Sequence, residues 1–149
     1  MSREVTLRQA IARQPQSLSD GISSITATLD QFSLAPLRNG TTVVTGIGAS
    51  LYAAQAGSAY MRSSGLRAFA LPSTALYDGA VDAGDAYIAL SASGRSVEPA
   101  KAMELRPNAN SYGVSGVVTS PLASYVRHMV GTACGDDSGP NTTSYIGTL

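Results

Sequence analysis

The sequence predicts an α/β fold, a three-layer α-β-α sandwich in which helices cover both faces of a five-stranded parallel sheet. Five short segments, rich in β-branched, alanine and aromatic residues and mostly bounded by glycine or proline, are typical of strands. Segments of helical composition separate them, and strands that alternate with helices indicate a parallel sheet covered on both faces. The chain has 149 residues, 44% of them hydrophobic, which is enough for one domain with a substantial core.

The N-terminal segment, residues 1–35, is predicted to be a helical lead-in. A first helix carries an apolar stripe that begins at Leu7, and Pro15 is expected to end or bend it. A second helix is expected to start at a capping box of Ser17 and Asp20. Its apolar positions are Leu18, Ile22, Ile25, Leu29 and Phe32. This pair either covers the core or forms a dimer contact.

The α/β domain is predicted to occupy residues 36–149. The predicted strands are 41–46, 67–71, 85–91, 111–118 and 128–134, and the predicted helices between them are 51–61, 97–105 and 121–125. In such folds ligands bind beyond the carboxyl ends of the strands, where the strand order changes direction. The residues that follow each strand are therefore the candidates for a binding site.

Composition excludes several classes of function. Ten basic residues balance ten acidic ones, so the chain has no net charge to attract nucleic acid or anionic lipid. Charged residues make up only 13% of the chain, against roughly 25% in average domains, which suits packing against another protein surface. A single cysteine, Cys134, allows no internal disulfide, and one cysteine with one histidine nearly excludes the usual zinc site.

No membrane segment or cofactor is expected. The first residues carry charges where a signal peptide would be apolar, and no apolar run approaches the roughly 20 residues of a membrane-spanning helix. A cytoplasmic protein without a cofactor or a metal ion is therefore predicted.

The loop after the first predicted strand, 46–50, contains two glycines before a predicted helix. Glycines allow backbone N–H groups to approach an anion at a helix N-terminus. A dinucleotide site would need a glycine where Leu51 stands and an acidic residue about 20 positions later, and residues 66–71 contain none. This loop is either a tight turn of small residues or part of an anion site.

The loop after the third predicted strand is richer in donors. Ser91, Ser93 and Ser96 place three hydroxyl groups within six residues, beside Gly94 and before a predicted helix. This density favours a phosphate site over simple capping by Ser96, since capping requires one hydroxyl. Arg95 either adds a charge for the anion or is solvated at the surface.

The loop after the fifth predicted strand, 134–144, is polar. Asp136 and Asp137 could act as a base or as metal ligands, or could belong to a solvated turn. Thr142 and Thr143 could hold sugar hydroxyls.

Taken together, these three loops resemble the sugar isomerase (SIS) domain, which has a flavodoxin-like fold. The first SIS domain of the isomerase part of glucosamine-6-phosphate synthase and its relatives has a Gly-Thr-Ser-like turn, a Ser-Gln-Ser-Gly-Glu/Asn-Thr signature and a Val-Ala-Ser-Thr-Lys-like loop, in this order. The matching segments here are 48–50, 91–96 and 140–144. The resemblance covers essentially the whole chain.

The resemblance implies a phosphosugar pocket. The residues it assigns to the pocket are Gly48, Ala49, Ser50, Ser91, Ala92, Ser93, Gly94, Ser96, Thr142 and Thr143. Ala49, Ala92, Arg95 and Ser144 depart from the family pattern, which affects selectivity more than phosphate binding.

The resemblance also implies that catalysis needs more than this chain. In the family the catalytic glutamate and lysine come from a second domain and a histidine comes from a neighbouring subunit. Asp137 is the one candidate base here, although it matches a family position that does not transfer the proton. His128 is expected to be structural, since it starts a strand.

The expected function is that of the first half of an aldose–ketose isomerase, an aminotransferase-type enzyme or a deglycase acting on hexose or aminohexose phosphates. The expected partners are the phosphorylated sugar and either a second copy or a second SIS domain. The alternative is a non-catalytic phosphosugar-sensing regulatory domain, although the N-terminal helices lack a basic face for DNA. A third class, a flavodoxin-like or signalling domain, predicts no effect of phosphosugars on stability.

Overall fold

The structure, a computed structural model, describes residues 5–78 and 82–133. Its helices are α1 (Leu7–Leu29), α2 (Ala35–Asn39), α3 (Ala49–Ser63), α4 (Ser73–Asp78) and α5 (Val97–Glu104), with a 3₁₀ turn at Pro121–Ser124. Its strands are β1 (Thr41–Gly46), β2 (Arg67–Pro72), β3 (Ala86–Leu90), β4 (Asn110–Ser115) and β5 (His128–Gly131). All five predicted strands are present.

The five strands form one parallel sheet in the order β2-β1-β3-β4-β5. The predicted fold class is confirmed. After β1 the chain moves to one side to form β2, and then returns across β1 to form β3 on the other side. The strand order therefore changes direction between β1 and β3, where Thr45 lies opposite Ala89.

The alternation of side chains along β1 and β3 divides the core into two layers. Val43, Tyr87 and Ala89 pack on one face with α4, α5 and the 3₁₀ turn. Val44 and Leu90 pack on the other face with Ala53 and Ala54 of α3. Helices therefore cover the sheet on both sides, as predicted.

The N-terminal helix corrects the sequence interpretation. A single helix, α1, runs for 23 residues through Pro15, and its capping box is formed by Thr6 and Gln9 rather than by Ser17 and Asp20. Gln9 N–H donates to Thr6 Oγ1, and Thr6 N–H donates to Gln9 Oε1. Pro15 is an exposed residue inside this helix, where the carbonyl of Ile11 goes without its usual N–H donor.

An aromatic stack fastens the end of α1 to the sheet. The ring of Phe32 stacks on that of His128 at 4.4 Å between centroids, and Tyr112 lies 5.3 Å from His128. The Tyr112 hydroxyl donates to the carbonyl of Ser33. Burial raises the pKa of the Tyr112 hydroxyl, and the charge of Arg127 partly offsets this rise. His128 is therefore a packing residue at the start of β5, as expected.

Two short helices, α2 and α4, have no counterpart in the sequence interpretation. The polar start of α4 is buried: Thr45 Oγ1 donates to the carbonyl of Leu71 and lies 3.0 Å from Ser73 Oγ. Arg106 holds its other half, since Nη2 donates to the carbonyl of Leu76 at 2.7 Å. Hydrogen bonds to distant residues thus stabilise α4, which is too short to show an apolar periodicity in the sequence. Among the residues described, no helix is long and apolar enough to cross a membrane.

Replacing Pro15 by alanine should stabilise the protein if α1 is continuous. Proline has no N–H to donate to the carbonyl of Ile11 and costs about 3 kcal/mol more than alanine inside a helix. We expect Pro15→Ala to raise the free energy of unfolding by about 1–3 kcal/mol in urea denaturation. Arg13→Ala, at an exposed neighbouring position, should change it by less than about 0.5 kcal/mol. No gain from Pro15→Ala would show that the helix is interrupted.

Candidate functional site

The carboxyl ends of β1 and β3 lie side by side at the change in strand order. The loop after β1 leads into α3, and the loop after β3 leads into α5. The N-termini of both helices therefore lie at the same end of the sheet, next to each other. This is the position at which α/β sheets of this strand order hold their ligands.

The loop after β1 depends on two glycines for different reasons. A Cβ on Gly46 would lie 2.8 Å from the backbone of Ser50, so only glycine lets the strand turn this closely under α3. Gly48 has φ +56° and ψ −128°, a conformation that side chains disfavour, and nothing lies within 4 Å of its Cβ position. The open space lies over Gly48, and not over Gly46.

The N-terminus of α3 lacks a side-chain cap. Gly48 is its N-cap residue and offers no side chain, so no side-chain oxygen accepts from the first turn. Ser50 N–H bonds to the carbonyl of Ile47 and Leu51 N–H to that of Gly48, and the described part of the chain gives Ala49 N–H no acceptor. The first turn therefore offers at least one free donor to an anion.

In the loop after β3, no serine hydroxyl caps the helix α5 that follows. Ser96 is the N-cap residue of α5, yet its side chain caps nothing; instead Ser91 Oγ donates to Ser96 Oγ at 3.2 Å. The capping interpretation of Ser96 is therefore wrong. Ser91 is 1% exposed and supports Ser96 from below. Because no described side chain caps the first turn of α5, the N–H groups of Val97 and Glu98 remain available to an anion, whereas Pro99 has none.

A tight turn shapes the middle of the same loop. Gly94 has φ +66°, and its N–H donates to the carbonyl of Ser91 at 3.0 Å. Ser93 is exposed, and its hydroxyl accepts a long 3.3 Å bond from Arg95 N–H. The turn brings the Ser93 hydroxyl and the Arg95 amide to the solvent side of the loop.

The loop after β4 also belongs to this end of the sheet, which sequence reasoning missed. Ser115 and Ser120 are buried there, and the Ser115 hydroxyl donates to the carbonyl of Ala92 at 3.3 Å. Thr132, the residue directly after β5, is also buried, and its N–H donates to the carbonyl of Ser115. A serine or threonine after a predicted strand would have been the available signal, but the predicted strand over 111–118 ran past Ser115.

The remaining candidates lie elsewhere. Thr142, Thr143 and Asp137 are outside the described residues. Glu98 lies in the first turn of α5 and Glu104 is its last residue, at the far end from the loops. Within residues 5–78 and 82–133, no three His, Cys, Asp or Glu side chains come together as metal ligands would.

A cavity of about 290 Å³ lies away from these loops, between α1, α2, α3 and the sheet. Nearly all of its lining is aliphatic or aromatic, including Ile25, Leu29, Ile88 and Val114. A sugar phosphate needs several converging polar donors, so this cavity does not fit one. The arrangement that can hold an anion is the pair of loops after β1 and β3.

Comparisons with known proteins bear on the fold of the chain. No protein-family model matches the sequence, and no curated protein matches it. Solved structures do match, with 95–96% of this chain covered in the three cases described next.

Tagatose-6-phosphate ketose/aldose isomerase from Escherichia coli has a TM-score of 0.79 at 20% identity, over 45% of its length. The C-terminal domain of glucosamine–fructose-6-phosphate aminotransferase from Francisella tularensis has a TM-score of 0.77 at 16% identity, over 43% of its length. The chain has an SIS-type fold. The Vibrio vulnificus NanR protein, complexed with ManNAc-6P, has a TM-score of 0.63 at 18% identity, over 62% of its length. The chain therefore spans less than half of the two enzymes.

Two glycine substitutions test the strained turn after β1. Gly48→Ala should lower the free energy of unfolding by about 1–2 kcal/mol, because the space is open but the backbone conformation is unfavourable for a side chain. Gly57→Ala, also in open space but inside α3, should raise it by about 0.5–1 kcal/mol. Both values come from urea denaturation. Equal effects of the two substitutions would contradict the strained conformation at Gly48.

Proposed function

We propose that the chain is a cytoplasmic phosphosugar-binding domain and the first half of an aldose–ketose isomerase, an aminotransferase-type enzyme or a deglycase. Its ligand is a hexose or aminohexose phosphate. The observation that carries the proposal is the pair of helix N-termini without side-chain caps, α3 and α5, which meet where the strand order changes. Helix N-termini with free N–H groups are favourable sites for a phosphate dianion.

The phosphate group is held mainly by the loop after β3. Ser93 and Ser96 supply hydroxyl donors, and the first turn of α5 supplies backbone N–H groups. Small hydroxyl side chains leave room for the phosphate while they donate to it. Ser91 acts indirectly, since its bond to Ser96 orients that hydroxyl.

The sugar extends from this phosphate towards the loop after β1. Gly48 leaves open space there, and Ala49 and Ser50 begin the adjacent helix. Thr142 and Thr143, which the family resemblance assigns to the pocket, are proposed as further sugar-binding residues. The name of each compared protein supports a phosphosugar ligand: one acts on tagatose 6-phosphate, and another is complexed with ManNAc-6P.

Arg95 contributes positive charge within the loop after β3, residues 91–96, which we call the phosphate loop. It is exposed, and the described residues place no carboxylate in an ion pair with it. A guanidinium beside a helix N-terminus strengthens the attraction for a dianion over a neutral sugar. Its position therefore favours phosphorylated ligands.

The chemistry requires groups beyond those in the described residues. Proton transfer between C1 and C2 needs a base next to the sugar, and Glu98 would repel the phosphate if it turned inward. Because the chain spans less than half of the compared enzymes, we assign the base to a second SIS domain. The chain pairs with that domain or with a second copy of itself.

A non-catalytic sensor is the second candidate. The similarity to NanR in complex with ManNAc-6P favours it, because that structure shows a related fold in a protein holding a sugar phosphate. The two candidates share the ligand and differ in whether a second SIS domain completes a catalytic site; neither predicts turnover by this chain alone.

Removing two hydroxyl groups from the phosphate loop tests the binding proposal. Each hydrogen bond to a charged group contributes about 1.5–3 kcal/mol, so Ser93→Ala with Ser96→Ala should raise the Kd for fructose 6-phosphate at least about a hundredfold in calorimetry. The matched control is Ser63→Ala with Ser64→Ala, two exposed serines at the other end of α3. The control should bind as the wild type does. Equal affinity in both double variants would refute the proposed site.

Measuring the turnover of the isolated chain distinguishes a domain that needs a second SIS domain for catalysis from one that is catalytic by itself. The isolated chain should convert neither fructose 6-phosphate nor glucosamine 6-phosphate at a rate near the enzyme median of about 10 s⁻¹, because no residue within 5–78 and 82–133 places a base beside the proposed sugar site. A coupled assay measures this. Turnover at that rate that is abolished by Asp137→Asn would show that the chain is catalytic by itself.

A further inference from the structure

Ser120 presents a buried hydroxyl without a partner, directly behind the phosphate loop. The residue is 5% exposed, and its Oγ has no hydrogen-bond partner among the described residues. A Cβ added to Gly94 would overlap this hydroxyl and lie 3.0 Å from Ser115 Oγ. The hydroxyl therefore faces the one residue of the loop that has no side chain.

The chain after β4 already holds the loop by its carbonyl groups. Ala92 O accepts from Gly116 N–H at 3.0 Å as well as from the Ser115 hydroxyl, and Gly94 O accepts from Leu122 N–H at 3.1 Å. In a trans peptide the carbonyl and the following N–H point in opposite directions. Holding these two carbonyls behind the loop therefore turns the N–H groups of Ser93 and Arg95 away from β4.

One of these N–H groups is only loosely engaged. Arg95 N–H makes a 3.3 Å bond to the Ser93 hydroxyl, which an anion would replace with a stronger, charge-assisted bond. Gly94 O is the carbonyl of the same peptide, so a rotation of this peptide that aims the N–H more directly at an anion also changes the distance between Gly94 O and Ser120, which lies against Gly94. A carbonyl oxygen has two lone pairs, and Leu122 N–H uses one of them.

We propose that Ser120 is a positioning residue of the phosphate loop, whose hydroxyl donates to Gly94 O only when the loop holds an anion. The inference rests on the proposed phosphosugar function. A buried hydroxyl that is satisfied in one state alone shifts the equilibrium towards that state. Ser120 thus favours the bound loop and penalises the empty one.

If Ser120 has this role, removing its hydroxyl should weaken ligand binding without lowering the stability of the free protein. Ser120→Ala removes an unsatisfied polar group from the free protein, so the melting temperature should stay the same or rise. The Kd for fructose 6-phosphate and for inorganic phosphate should rise at least fivefold in calorimetry. In an ¹⁵N NMR titration with phosphate, the amide shift of Arg95 should become smaller in the variant.

Two further variants separate the hydroxyl from its volume and from its surroundings. Ser120→Cys has a somewhat larger side chain with a weak donor in place of the hydroxyl, so it should bind as weakly as Ser120→Ala. Ser124→Ala, an exposed serine on the same 3₁₀ turn, should match the wild type in affinity and melting temperature.

The proposal is overturned if Ser120→Ala binds within twofold of the wild type or if Ser120→Cys restores affinity. A fall in melting temperature together with affinity would assign Ser120 to the fold, and would also overturn it. A wild-type chain that binds neither fructose 6-phosphate nor phosphate would remove the proposed function, and the role of Ser120 with it. That result is obtained before any variant is made, so the two failures are distinguishable.

Discussion

The right-handedness of crossover connections between parallel strands is the constraint on which the rest of this structure depends. The chain leaves β1 towards one edge and later adds β3, β4 and β5 towards the other. Right-handed crossovers then require α3 on one face of the sheet and α4 and α5 on the opposite face, where the core contacts place them. The loops that enter α3 and α5 diverge to opposite faces, and a crevice opens between them at the carboxyl edge.

Hydrogen bonds to the backbone carbonyls of the loop after β3 explain why its N–H groups remain directed towards that crevice. The loop after β3 has its carbonyls bonded on the side of β4, through Gly116, Leu122 and the Ser115 hydroxyl. Carbonyls satisfied on one side leave N–H groups directed to the other. In the proposed site the donors therefore come first from the backbone, and Ser93 and Ser96 add hydroxyl groups. Ala92, where the SIS signature has glutamine, differs in its side chain and leaves this backbone pattern in place.

The local sequence pattern predicted the elements whose apolar residues alternate or repeat. It failed where contacts with distant residues determine the structure. The β-branched residues of β1 and Gly46 at its end marked a strand and its turn correctly. Pro15 was interpreted by its local cost alone, but a helix with a capping box at its start can continue through an exposed proline. The helix α4 depends on Arg106, 30 residues from Leu76, and no sequence window contains both. Ser120 is equally invisible locally, because an unmet hydrogen bond is a property of the assembled loops.

The two edges of the sheet are protected by different means. At β5 the stack of Phe32, His128 and Tyr112 holds the end of α1 against the outermost strands. At β2 no such stack occurs among the described residues; the strand is six residues long, begins at exposed Arg67 and ends at Pro72, which has no N–H to offer a further strand. A short edge bounded by a charge and a proline is a poor template for the addition of another chain. An open parallel sheet of this kind can therefore remain free of cross-β aggregation without closing into a barrel.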